Sequence, residues 1–135
     1  MKKILLSFFA LVVVLSSCYY DEGPIISLRT PQSRLVNTWK FRKYVINGQD
    51  QMNKFKNSYV EFKKDKTAYF FIDTSYSYTA AWYFDDEYKT LHLNCSDDTM
   101  YSWDIDYNIL KLRAKEIWLE GTDGIYTSYI ELIEK

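Results

Sequence analysis

Residues 58–71 read SYVEFKKDKTAYFF. Two runs of β-branched and aromatic residues, 58–64 and 67–73, flank Asp65-Lys66, which is the pattern of a β-hairpin. With those two residues as the loop, Phe62 is expected to face Tyr69 and Val60 to face Phe71, which puts four apolar groups on one face. The same grammar extends in both directions. Similar runs occur at 34–46, 76–84, 89–95, 99–106, 108–114, 116–121 and 124–135, and turn-forming stretches such as DDEY (85–88) and SDD (96–98) separate several of them. The segment NGQDQMNKFKN (47–57) interrupts the series as a loop holding a helical turn. No stretch keeps a 3.6-residue apolar period over three turns, so helices are not the organising element.

Alternation assigns faces to these runs. Trp82 and Phe84 share a phase, as do Leu91, Leu93 and Cys95, then Tyr101, Trp103 and Ile105, then Leu110 and Leu112, Ile117 and Leu119, and Ile130 and Leu132. Their neighbours are mostly polar, so one face is wet throughout. A closed meander satisfies this pattern and leaves no exposed edge strand. The expected fold is all-β: a small antiparallel up-and-down barrel of eight or nine strands spanning 34–135, in which some runs are halves of one bent strand.

The first residues have a different character. Lys2 and Lys3 precede an apolar run from Ile4 to Leu15, then Ser16, Ser17 and Cys18. That run is shorter than the ~18 apolar residues that a spanning helix needs, so 1–17 reads as an export signal. Leu15-Ser16-Ser17-Cys18 resembles the lipobox of bacterial lipoproteins. The resemblance implies cleavage before Cys18, a diacylglyceryl thioether on its sulfur and an amide-linked acyl chain such as palmitate on its nitrogen. Several acyl chains, at ~0.8 kcal/mol per buried methylene, make such an anchor effectively permanent. Residues 18–33 hold both prolines and read as a flexible tether. Tyr19 is not the aspartate that retains lipoproteins at the inner membrane, which points to the outer membrane. Asp21-Glu22 resembles the acidic signal for surface delivery.

Charge and cysteine content narrow the partners. The chain carries 17 basic and 18 acidic side chains, and without Lys2 and Lys3 the balance becomes 15 to 18, a net of −3. There is no basic surplus for nucleic acid. Only Cys95 remains beside Cys18, so no structural disulfide is expected. Stability must come from the core, which four tryptophans, thirteen tyrosines and eight phenylalanines can supply.

Four segments in order resemble the lipocalin-like lipoproteins of Gram-negative bacteria, a group of small anchored barrels. LVNTWKFRKYVINGQD (35–50) is similar to the family's opening Leu-x-Gly-x-Trp, strand and Asn-Gly turn; VEFKKDKTAYFF (60–71) is similar to its apolar-x-Phe hairpin. WYFDDEYKTLHL (82–93) is similar to its Trp-bearing strand and Leu-x-Leu return, and YTSYIELIEK (126–135) to its closing strand. The chain departs from the pattern at Asn37 and Lys66, where the family carries glycine, and no arginine lies in the closing strand to stack on Trp39. The resemblance implies an envelope protein that binds without transforming.

No catalytic constellation competes with that reading. His92 falls on the outward phase and has no second histidine to join it, and Cys95 falls on the inward phase as a small core residue. DIDYN (104–108) has the spacing that opens a calcium loop, but Ile109 replaces the sixth-position glycine and Lys115 the final glutamate, so no metal is expected there. Neither a nucleophile elbow nor a phosphate loop is present, and no enzyme and no cofactor are expected. Two binding modes remain. If the barrel has a mouth, Trp39, Phe62, Tyr69, Phe71, Trp82, Tyr101 and Trp103 are the rings expected to line an apolar pocket for a small ligand; alternatively they simply fill the interior. The second mode is surface recognition of an envelope protein or glycan, since SYSYTAAWYF (75–84) puts aromatics on both phases and some of Tyr76, Tyr78 and Tyr83 must be exposed.

Overall fold

The structure, a computed structural model, describes residues 28–135. The export signal, Cys18 and most of the tether lie outside the described residues. Among the described residues nine strands form one antiparallel sheet: β1 (Thr38–Ile46), β2 (Gln49–Asp50), β3 (Tyr59–Phe62), β4 (Thr67–Phe71), β5 (Ser77–Phe84), β6 (Thr90–Ser96), β7 (Ser102–Leu112), β8 (Glu116–Asp123) and β9 (Tyr126–Glu134). Each strand pairs with its successor from β3 to β9, β1 pairs with β3, and β1–β9 pairing from Trp39↔Glu134 to Ile46↔Ser128 closes the ring. The result is an eight-stranded barrel, with β2 as a two-residue appendage on β1. The runs at 99–106 and 108–114 are the pair that merges into one long strand, β7.

Strand direction fixes two ends. β1 starts beside helix α1 (Pro31–Leu35) and ends at Asn47-Gly48, whose φ values of 49° and 77° are those of the type I′ turn that Asn-Gly favours. Helix α2 (Met52–Phe55) follows at that second end, together with the β4–β5, β6–β7 and β8–β9 turns.

The end beside α1 is closed. Helix α1 begins within the stretch read as tether: Thr30 caps it by accepting from Ser33 N at 3.2 Å, and Pro31 occupies a first-turn position where its missing N–H costs nothing. Leu35 is buried, and its carbonyl accepts the indole N–H of Trp39 at 2.8 Å. Arg34 is buried too; its Nη1 donates to the Leu112 carbonyl at 3.3 Å, and its Nη2 has no hydrogen-bond partner among the described residues. Leu112, Ile117, Leu91 and Trp82 complete this packed floor.

The hairpin at 58–71 forms in a different register from the one expected. Lys63 N donates to Thr67 O at 2.8 Å, so the loop holds three residues, Lys64, Asp65 and Lys66. Lys66 takes φ 70°, the left-handed conformation that ends such a loop. Asp65 Oδ1 holds the turn by accepting from Thr67 N at 3.0 Å and Thr67 Oγ1 at 2.6 Å. Phe62 therefore pairs with Ala68, and Val60 with Phe70. One residue of slip turns every side chain of β4 over, so Ala68 and Phe70 face inward while Tyr69 and Phe71 face outward.

Two bulges change phase elsewhere. The β1–β9 register shifts between Phe41 and Lys43, so the inward positions are Trp39, Phe41 and then Tyr44. The β7–β8 register shifts between Ile109 and Lys111; Ile109 and Leu112 are buried while Leu110 is only partly so, and the shared phase expected for Leu110 and Leu112 is broken. These bulges place Arg42 and Lys111 on the outer face near the closing seam. Arg42 Nε donates to Glu131 at 2.8 Å and its Nη2 contacts Glu116. Lys111 Nζ lies 3.2 Å from Glu116 and 3.4 Å from the centre of the Trp118 ring. Four strands, β7, β8, β9 and β1, are thus stapled across the seam. Burial alone would raise the Glu116 carboxyl, but donation from Arg42, Trp118 and Lys111 holds it at about 2.

Candidate functional site

The end opposite α1 opens into a cavity of about 680 Å³. Its walls come from all around the barrel, and the phase of each strand explains them. β1 supplies Phe41 and Tyr44, β3 Val60 and Phe62, β4 Phe70, and β5 Tyr78. β6 supplies Leu93, β7 Trp103, Ile105 and Tyr107, β8 Leu119, and β9 Ile130 and Leu132. Phe55 of α2 and Ile72 after β4 reach in from the mouth.

The rings form two arcs. On one side Phe55 stands edge-on to Tyr44 at 4.4 Å and 5.4 Å from Phe41. On the other, Phe70 stacks on Tyr78 at 4.5 Å, and Tyr78 meets Trp103 at 5.1 Å. Such arcs offer flat faces to a ring or a conjugated chain. Among the described residues, the charged groups on the lining are Lys54 and Asp73, both exposed at the mouth beside Asn53. Burial raises the hydroxyls of Tyr44 and, far more, of Tyr78, so both stay neutral and act as hydrogen-bonding groups inside an apolar wall. The arrangement suits an apolar body inside and a polar end at the rim.

Of the seven rings expected to line a pocket, Phe62 and Trp103 do so. Trp39 and Trp82 face inward but lie in the packed floor, where Trp82 Nε1 donates to Thr67 O at 3.0 Å. Tyr69 and Phe71 are turned outward by the three-residue loop. Tyr101 precedes β7, in a turn where Met100 takes φ 63°, and stands exposed. The rings that sequence reasoning missed are Phe41, Tyr44, Phe55, Phe70, Tyr76, Tyr78 and Tyr107. For Tyr44 a signal existed: continuing the Trp39–Phe41 phase would bury Lys43, so a phase switch is required.

The remaining candidates take ordinary positions. Cys95 is buried, and burial pushes its thiol up to about 12, which leaves no thiolate for nucleophilic work near neutral pH. His92 lies on the outer face, stacked on Tyr83 at 4.7 Å, with Nδ1 2.7 Å from Asp106. Asp104 and Asp106 sit on β7 itself, not in a loop, and Asp104 accepts from Asn94 at 2.7 Å. Asp65 and Asp97 are each bound by their own turns, as the turn reading of these aspartates implies, and so is Asp73, which the sequence placed at the end of a strand run. Among the described residues no group of three or more His, Cys, Asp or Glu side chains is placed to hold a metal, and no helix is long and apolar enough to cross a membrane.

Compared with protein-family models and with curated proteins, the chain matches none.

Proposed function

We propose that this protein is an exported barrel, anchored in the cell envelope by lipid on Cys18, that carries a small apolar ligand in its interior. The carrying observation is the cavity of about 680 Å³, walled by aromatic and aliphatic side chains and charged only at its mouth. Its size lies within the ~300–1,000 Å³ typical of small-molecule sites. A barrel of this kind agrees with the resemblance to lipocalin-like lipoproteins, the Leu-Ser-Ser-Cys sequence supports the lipid anchor, and Tyr19 after the cysteine supports an outer-membrane location. Binding without chemistry is the role that we read from the lining, whose described residues put apolar and aromatic side chains inside and Lys54 and Asp73 at the mouth. The test is titration with a neutral, polarity-sensitive naphthalene dye. Saturable enhancement that Leu93→Trp abolishes by filling the cavity is expected; identical titrations for both chains would remove the proposal.

A second reading is favoured by one feature of the outer wall. Tyr59 stacks on Phe71 at 5.1 Å with Tyr69 nearby, and Lys135 Nζ lies 4.0 Å from the Tyr59 ring centre. A partly exposed aromatic group of this kind suits a glycan or a protein partner. Tyr69→Ser would weaken such docking and leave dye uptake intact.

A further inference from the structure

Side chains that line the cavity sort by depth. Phe62, near the closed end of β3, and Leu132, near the closed end of β9, make the inner part apolar, while Lys54 and Asp73 stand at the rim. Between them lies a tier of polar groups carried on rings. Tyr44 is two residues from the end of β1 at the mouth, and Tyr78 and Trp103 are each the second residue of strands, β5 and β7, that start there. This tier differs from the rest of the barrel in its hydrogen bonding. The other three indole N–H groups are engaged: Trp39 donates to Leu35 O at 2.8 Å, Trp82 to Thr67 O at 3.0 Å and Trp118 to Glu116 at 2.8 Å. Among the described residues, the Trp103 N–H and the hydroxyls of Tyr44 and Tyr78 have no hydrogen-bond partner.

Such groups are met by water or by a ligand, and a ligand that displaces the water without replacing its hydrogen bonds loses affinity. An indole N–H only donates, so the ligand atom opposite Trp103 must accept. The Tyr78 hydroxyl stays protonated and able to donate, because burial raises it well above its ordinary range and the nearby Tyr107, Cys95 and Tyr44 add to this. Charge on the ligand is disfavoured at this depth. The charged groups of the described lining stand at the rim, and a full charge buried without a partner costs far more than a dipole.

We propose that the cavity selects an uncharged ring compound with an acceptor oxygen, held one tier below the rim by Tyr78 and Trp103 while its apolar body fills the inner part. The wall beside these donors suits a flat ring: Phe70 and Tyr78 lie within 9° of parallel with centres 4.5 Å apart, and Trp103 continues the arc at 5.1 Å. This inference rests on the reading of the barrel as a carrier of a small apolar ligand, and it names the chemistry that such a ligand shows.

The experiment titrates the full chain calorimetrically with fluorene and with fluorenone, which share one flat tricyclic frame and differ by a methylene against a carbonyl. Both affinities are measured on the same chain, so packing losses common to the two compounds cancel in their ratio. Uptake by the apolar run 4–15 is common to parent and variants, and a change in the ratio therefore reports the cavity. Tyr78→Phe should weaken fluorenone relative to fluorene by about two- to tenfold, the range of one neutral hydrogen bond, and Trp103→Phe should lower the same ratio. The carbonyl stretch of bound fluorenone, isolated by isotope-edited infrared difference spectra, should lie below its position in hexane and rise in the Tyr78→Phe chain. An unchanged ratio in either variant would overturn the contact given to that side chain. Saturable binding of both compounds with the ratio unchanged in both variants would overturn the acceptor assignment and leave the cavity standing, as would tighter binding of a fluorenone carboxylate than of fluorenone. If neither compound nor the naphthalene dye saturates, the carrier reading fails and this inference fails with it.

Discussion

Tyr107 and Gly121 face each other across β7 and β8, and a Cβ on Gly121 would stand 2.6 Å from Cδ1 of the Tyr107 ring. The glycine lets that ring lie against the β8 backbone while it forms part of the cavity wall. Gly121→Ala must therefore displace Tyr107, at a cost of about 1–3 kcal/mol for overpacking. Urea unfolding should show this loss, and dye affinity should change with it. A neutral effect on both would mean the ring has another place to go.

The register of the first hairpin makes a paired prediction. Phe70 is buried inside and Tyr69 lies outside, so Phe70→Ala should cost about 3–5 kcal/mol and Tyr69→Ser under about 1 kcal/mol. The register with Asp65-Lys66 alone as the loop would reverse that order. Thermal melts of the two variants decide between them.

That hairpin also shows where the sequence was legible. Strict alternation placed Trp82, Leu91, Leu93, Cys95, Ile117, Leu119, Ile130 and Leu132 inside, and all are buried. These strands read correctly because each keeps one phase over the inward positions concerned. Tyr69 and Phe71 were misplaced because Lys66 adopts a left-handed φ that lysine rarely takes, and so lengthens the loop by one residue. Tyr44 follows one bulge and Leu110 lies in the other; strict alternation carries the wrong phase through both, although Lys43 signals the first. An apolar pocket was one of two expectations for the interior, and the choice between them was not legible, since the volume depends on how closure spaces the walls and on where α2 lays Phe55.

Acid should weaken the closing seam. Glu116 has its carboxyl held at about 2, below its usual 4.5, so the folded state binds fewer protons than the unfolded chain between those values. Its contribution is present above about 4.5 and is lost as pH falls toward about 2. Asp65, Asp73 and Asp97 are lowered by hydrogen bonds within their turns and act in the same direction below 3.8. Glu116→Gln should lower stability at neutral pH and flatten its decline between pH 5 and 2, as followed by tryptophan fluorescence in urea. An unchanged slope would show that the seam does not respond to this carboxylate.

The closed end separates packing from charge. Leu35→Ala should cost about 2–5 kcal/mol by opening a cavity beneath α1. Arg34 is different, because it is buried and, among the described residues, its Nη2 has no hydrogen-bond partner. Replacing it by an apolar side chain of similar length removes that desolvation cost, so Arg34→Met should match or exceed the parent in stability. Calorimetric melting temperatures would show it, and a Met variant melting below the Leu35→Ala chain would contradict this view of the floor.

The central claim is that the barrel carries a small apolar molecule, and the direct measurement is mass spectrometry of what the native chain releases on denaturation. The chain should be extracted gently from its own envelope, without exchange into an apolar detergent. One small apolar species at near-stoichiometric amount, and its loss from the Leu93→Trp chain, is the expected result. Recovery of nothing above background from natively extracted protein, with the dye also failing to saturate, would contradict it.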